Sequence, residues 1–81
     1  MGRNMKKYQI HISCRPCGSP LFDYWKEGEG HLVKCYADGI NRDYTKDQHH
    51  CPECGTEFAR DAIIHNRPAY KIIQGKVVVR R

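Results

Sequence analysis

The sequence predicts a small, mainly β domain of antiparallel strands with little helix. Three observations favour this fold class: apolar and polar residues alternate near the start of the chain, β-branched residues cluster near its end, and two glycine-terminated turns each carry a pair of cysteines. The 81 residues suffice for one domain, which we expect to span 1–81 with flexible ends at 1–7 and 80–81. A core this small usually needs a cross-link or a bound ion for stability.

Two strands are predicted on either side of the first cysteine pair. Tyr8, Ile10 and Ile12 alternate with polar residues, which is the period of a strand that buries one face. The apolar and aromatic residues at 21–25 predict a second strand. The first cysteine turn lies between these two strands.

A hairpin and a loop are predicted between the two cysteine pairs. Residues 26–30 contain two glycines and are expected to turn. Residues 31–36 then return as a third strand, so that 21–36 forms a hairpin. The polar stretch 37–50, which includes an Asp-Gly pair, is predicted to be a loop.

The last third of the chain predicts mostly strands. Residues 56–59 form a short strand or turn, and residues 60–65 form one helical turn that ends before Pro68. The β-branched runs 69–73 and 76–80 lie on either side of a glycine turn, as a hairpin or as one bulged strand. We expect the first and last strands of the chain to pair, because pairing hides the edges of a small sheet.

The two Cys-x-x-Cys pairs predict a metal site. Two intervening residues let both thiolates of a pair face one ion, and a glycine directly after each pair supplies the positive φ that the tight turn needs. Cys14, Cys17, Cys51 and Cys54 would together form a closed tetrahedral site, with zinc favoured over iron. Five cysteines fit such a site better than a disulfide framework. The fifth, Cys35, is predicted to be a buried small hydrophobic residue.

These turns resemble those of zinc-ribbon proteins, a class of zinc finger. The resemblance covers about residues 8–60 and is carried by the two cysteine turns and by the run Cys51-Pro52-Glu53-Cys54-Gly55 followed by Phe58. It implies two β-hairpin turns that share one structural zinc ion. It leaves the biological role open, and the segment 62–81 has no counterpart in it.

Rubredoxins are the alternative, because they have similar cysteine turns that hold iron for electron transfer. They are typically acidic, with a tyrosine after the first turn and a tryptophan shortly before the third cysteine. This chain is basic and has Ser19 and His49 at those places. Neither His49 nor His50 would shield an iron centre as apolar residues do. One of these histidines replacing a cysteine ligand is a further alternative.

Positive charge is concentrated at the two ends of the chain. The net charge is +5, and neither residues 1–15 nor residues 62–81 contain an acidic residue. Clustered basic residues favour contact with phosphates, and an exposed tryptophan would favour base stacking. The residues that we expect to contact nucleic acid are Lys6, Lys7, Trp25, Arg67, Lys71, Lys76, Arg80 and Arg81.

The sequence therefore favours a monomeric, non-enzymatic zinc module that binds RNA or DNA, or docks onto a larger nucleic-acid machine such as a ribosome or transcription complex. The alternatives to this function are a rubredoxin-like electron carrier and a zinc-stabilised protein-interaction module. No nucleophile and base pair, phosphate loop or open metal position is evident. No apolar run approaches the about 20 residues that span a membrane. Metal-binding thiols favour the reducing cytoplasm.

Overall fold

The computed structural model describes residues 7–28 and 30–81, in which strands dominate and the predicted mainly β class is confirmed. The strands are β1 (Lys7–Cys14), β2 (Pro20–Glu27), β3 (Lys34–Tyr36), β4 (Ile40–Asp43), β5 (Ala59–Ile64), β6 (Arg67–Ile72) and β7 (Val77–Arg80). A single 3-10 turn, Ala37–Gly39, joins β3 to β4 in this described part of the chain. No helix among the described residues has the length and apolar character needed to cross a membrane.

The larger sheet has four antiparallel strands in the order β4-β2-β1-β7. β1 pairs with β2 along its length and, from His11 to Cys14, with β7. The predicted pairing of the first and last strands is therefore confirmed. The alternation that predicted β1 is also confirmed, because Ile10 and Ile12 are buried while their polar neighbours are more exposed.

The smaller sheet has three strands in the order β3-β6-β5, and its β5–β6 hairpin corrects one prediction. Residues 60–65 form no helical turn; they belong to β5 and to the two-residue loop His65-Asn66. Both loop residues are left-handed, with φ of 53° and 61°. That pair of values is typical of a type I′ turn, whose twist matches that of the adjoining strands.

Pro68 lies inside β6 instead of ending a helix, and the register explains why it is tolerated. The Ile64–Arg67 pair closes the two-residue hairpin, so the next pair, Ile63–Pro68, is a non-hydrogen-bonded one. The nitrogen of Pro68 therefore points away from β5. On that side β3 pairs only from Ala69 onward, so the proline removes no ladder hydrogen bond.

Two predictions are wrong because the chain crosses between the sheets: the hairpin at 21–36, and the joining of 69–73 to 76–80 as a hairpin or as one bulged strand. β3 covers only Lys34–Tyr36 and pairs with β6, so 21–36 is not a hairpin. The runs predicted at 69–73 and 76–80 also lie in different sheets, joined by a turn in which the Lys76 N–H donates to the Ile73 carbonyl at 3.2 Å.

The predicted loop at 37–50 is only partly a loop. Its first residues form the 3-10 turn, and β4 (Ile40–Asp43) then pairs with β2 as an edge of the larger sheet. β3, the turn and β4 are continuous along the chain, so this segment leads from one sheet into the other.

The inner faces of both sheets form one core. Phe22 in β2 is fully buried and packs edge-on against Phe58, with 5.4 Å between ring centroids, and against Tyr70 of the smaller sheet at 6.1 Å. The buried core residues are Ile10, Ile12, Cys14, Leu21, Phe22, Tyr24, Leu32, Cys35, Cys51, Phe58, Ala59 and Ile72. Two of the paired cysteines thus belong to the core itself.

Gly39 allows the close contact that joins the two sheets. A Cβ atom there would lie 2.7 Å from Cε1 of Tyr24, whose hydroxyl accepts a hydrogen bond of 3.0 Å from the Tyr36 N–H. We expect Gly39→Ala to lower the free energy of unfolding by about 1–3 kcal/mol, because a buried ring must move. Urea denaturation of the metal-loaded protein measures this. Asn41→Ala, at an exposed position two residues away, should change it by less than about 0.5 kcal/mol.

Candidate functional site

The first cysteine turn follows directly from the end of β1. The Gly18 N–H donates to the Cys14 carbonyl at 2.7 Å, and the Cys14 N–H donates to the Ser19 carbonyl at 2.8 Å. Gly18 has a φ of 79°, as the tight turn requires. The sulfur of Cys17 lies 3.3 Å from the Ser19 hydroxyl. The turn therefore holds both sulfurs in place through its own backbone.

The second cysteine turn repeats this pattern. The Gly55 N–H donates to the Cys51 carbonyl, and the Cys51 N–H donates to the Thr56 carbonyl, both at 2.9 Å. Gly55 has a φ of 81°. The Cys54 sulfur lies 3.1 Å from the Thr56 hydroxyl, and the Glu53 N–H lies 3.4 Å from the Cys51 sulfur. The two turns thus share backbone bonds, a positive φ and a hydroxyl beside the outer sulfur.

The four sulfurs converge into one cluster, as predicted. They all lie within 4.8 Å of one another, with 3.6 Å between Cys14 and Cys54 and 3.5 Å between Cys17 and Cys51. A tetrahedron with metal–sulfur bonds of about 2.3 Å has edges of about 3.8 Å, close to these separations. None of the four is in a disulfide. The donor set therefore fits one tetrahedrally coordinated metal ion.

The inner and outer sulfurs have different environments. Burial raises the pKa of Cys14 to about 12, so this thiol ionises only with a compensating cation. Hydrogen bonds to the Thr56 hydroxyl and N–H lower the pKa of Cys54 to about 6, and Ser19 lowers the pKa of Cys17 in the same way. Cys17 and Cys54 are exposed. A metal ion here would lie at the surface, with one side against the core.

Neither adjacent histidine joins the four-cysteine cluster. His49 Nε2 lies 2.8 Å from an Asp61 carboxylate oxygen, and His50 Nδ1 lies 2.8 Å from Asp47. Asp47 also accepts the backbone N–H groups of both histidines, at 3.0 and 2.9 Å. These contacts to backbone and side chain hold the pKa of Asp47 well below its usual range. Asp47 therefore fixes the segment that leads into Cys51, a role that no sequence motif predicted.

Cys35 is separate from the four-cysteine cluster, and the prediction that it is a buried core residue is confirmed. It is fully buried in β3, and burial raises the pKa of its thiol to about 12. This environment makes the thiol unreactive at neutral pH, because the thiolate is the nucleophile.

The structure brings together only some of the residues predicted to contact nucleic acid. Lys6 lies outside the described residues. Lys7, Trp25 and Arg80 belong to the larger sheet. Arg81 follows directly after β7, and Lys76 is in the turn before it. Arg67 and Lys71 are in β6 of the smaller sheet. Lys7, Trp25 and Arg67 nevertheless line one cleft between the sheets, and the other described members of the predicted set are not among its lining residues.

A cleft of about 400 Å³ lies where the two sheets meet. Trp25, with 44% of its surface exposed, lines it together with Tyr36. Lys26, Lys34 and Arg67 also line it, and the Arg67 guanidinium lies 3.8 Å from the centre of the Tyr36 ring. The cleft therefore combines accessible aromatic surface with basic groups.

Among the residues that the structure describes, Glu27 and Asp38 are the acidic ones that line the cleft, and each has a basic partner. Glu27 lies 3.6 Å from Lys7, and Asp38 lies 2.7 Å from Arg67. Within the described part of the chain, Lys26 and Lys34 line the cleft without a carboxylate partner. The cleft consequently keeps a positive charge of its own.

The chain matches no family model, no curated protein and no solved structure. The cysteine cluster and the cleft are the two features of the molecule that indicate a function.

Proposed function

We propose that this protein is a structural zinc module of zinc-ribbon type that binds RNA or DNA through the cleft between its sheets. The observation that carries the proposal is the exposed Trp25 in a cleft that also contains two lysines without a carboxylate partner among the described residues. Aromatic rings and basic groups in one groove are the combination that single-stranded nucleic acid requires. The zinc ion would hold the two sheets in the arrangement that forms the cleft.

The cysteine cluster supports a structural role for the ion. Four protein sulfurs complete a tetrahedral shell, so no position is left for a water molecule or a substrate. Cys17 and Cys54 are exposed beside hydroxyl groups instead of under apolar cover. Apolar shielding would suit an electron-transfer iron better. We therefore propose zinc, and a role in binding instead of catalysis.

Binding should be measured with the zinc-loaded protein and fluorescently labelled oligouridine and oligothymidine by anisotropy across a salt series. We expect binding that weakens as salt rises, because phosphate contacts release counterions. Trp25→Ala should weaken it about 5- to 150-fold, from the about 1–3 kcal/mol lost with one stacked base. Trp25→Phe is the matched control and should keep most of the affinity, since it keeps an aromatic face.

Absence of binding to either oligonucleotide at low salt would reject the proposal and leave docking onto another protein as the better account. If Trp25→Ala leaves the affinity unchanged, the cleft is not the binding site.

A further inference from the structure

A row of three basic residues crosses the outer face of the smaller sheet. Lys34 in β3 lies directly opposite Lys71 in β6, and Lys71 lies directly opposite Arg60 in β5. We call these three residues the basic row. Neighbouring strands are about 4.8 Å apart, so the row extends over about 10 Å on one face. The opposite face is occupied by core residues such as Cys35 and Ile72.

This arrangement costs stability in the free protein, because like charges placed directly opposite each other on paired strands repel. Little in the described residues compensates for it. Arg60 lies 3.7 Å from Glu57, but both side chains are largely exposed and such pairs contribute little. Lys34 lies over the Tyr36 ring, 5.3 Å from its centre, and Lys71 has no carboxylate partner among the residues described. A bound anion would offset the repulsion.

The basic row begins at the cleft. Lys34 belongs to both, and Tyr36 and Arg67 line the cleft on the same face of the smaller sheet. A nucleic-acid strand with a base against Trp25 would therefore run its next phosphates across the row. Each nucleotide of a single strand carries a base and a phosphate. A strand with one base in the aromatic cleft therefore has further phosphates available for the line of cations.

We propose that the basic row Lys34–Lys71–Arg60 is the phosphate-binding track for a single-stranded nucleic acid that enters the cleft. The proposal rests on the nucleic-acid-binding function proposed above and assigns it a surface and a direction. It differs from the expectation that the basic ends carry binding, since Lys34 and Arg60 belong to neither end of the chain.

Two triple variants of equal charge test the track in zinc-loaded protein. The row variant carries Lys34→Gln, Arg60→Gln and Lys71→Gln. The matched variant carries Lys76→Gln, Arg80→Gln and Arg81→Gln, which removes the same charge from the C-terminal strand. For a single-stranded oligonucleotide, the slope of log affinity against log salt should fall by about 2 in the row variant, at about 0.7 per contact. The matched variant should keep the wild-type slope.

Several results would overturn the track while leaving the proposed function in place. They are a wild-type salt slope in the row variant, and a loss of slope in the matched variant that equals or exceeds the loss in the row variant. Wild-type binding to polyglutamate as tight as to the oligonucleotide at the same salt concentration would instead count against both proposals. Absence of oligonucleotide binding by the wild-type protein would instead reject both proposals together.

Stability provides an independent readout. Lys71→Gln should raise the midpoint of thermal unfolding of the free, zinc-loaded protein by about 2–4 °C, because it removes the central charge of the row, and it should also weaken binding. Lys46→Gln, on the exposed segment after β4, should do neither. An unchanged or lower midpoint for Lys71→Gln would contradict the claim that the row costs stability for the sake of binding.

Discussion

Removing the metal ion is expected to unfold the protein. Structural zinc sites have apparent binding free energies of about 10–16 kcal/mol, which equals or exceeds the about 5–15 kcal/mol stability of a typical domain. The inner thiols of Cys14 and Cys51 belong to the core, so loss of the ion removes the link between two distant segments at the point where they are buried. Chelation followed by amide NMR should collapse the dispersed spectrum.

Two cysteine variants distinguish the loss of the metal ion from the loss of a thiol group elsewhere in the core. Cys54→Ser removes an exposed ligand and should unfold the protein as chelation does, although its side chain packs little. Cys35→Ser removes a fully buried thiol outside the cluster and should keep one metal ion per chain, as measured by elemental analysis. A metal-free protein with an unchanged amide spectrum would show that the ion does not hold the fold. A coloured, redox-active preparation would indicate iron and a rubredoxin-like role.

The cysteine cluster could be predicted because its determinants are local. Each Cys-x-x-Cys-Gly turn positions two sulfurs through bonds within six residues, and the side-chain chemistry of four thiolates brings the turns together. The hydroxyls of Ser19 and Thr56 were missed, although each lies two residues after the outer cysteine of its turn. This repeated spacing is the signal that could have identified them.

Strand pairing was harder to predict, because alternation identifies a strand but not its partner. The hairpin of β5 and β6 turns on His65-Asn66 instead of the glycine-containing pair that usually signals a type I′ turn. Similarly, a glycine turn was predicted between β2 and β3, but β3 pairs with β6, more than thirty residues later along the chain. Such pairings depend on which faces become buried together, and short polar segments give little indication of that.

The basic row could not be predicted from the sequence either, because it depends on the pairing of strands. Lys34, Arg60 and Lys71 are well separated in the sequence and look like ordinary surface residues. Only the register of β3, β6 and β5 places them on one line. The distribution of charge along the sequence instead predicted that the two ends of the chain bind nucleic acid. For a small sheet, cross-strand register is therefore as informative about anion binding as local charge density.

Truncation of Phe22 is expected to be the most damaging change in the core outside the metal site. Phe22→Ala should lower the free energy of unfolding by about 3–5 kcal/mol, the usual cost of removing a buried aromatic ring. The ring is fully buried and contacts Phe58 and Tyr70, so its loss opens a cavity between the two sheets. Urea denaturation with zinc in excess measures this change while the metal site stays occupied.

The matched control for that measurement is Ile63→Ala, in β5. Ile63 is apolar but 73% exposed, so its truncation should change the free energy of unfolding by less than about 0.5 kcal/mol. A cost below about 1 kcal/mol for Phe22→Ala would mean that the sheets are held together almost entirely by the metal ion. A large cost with metal stoichiometry unchanged would instead show that the core and the ion each stabilise the fold, so that the cleft at the junction depends on both.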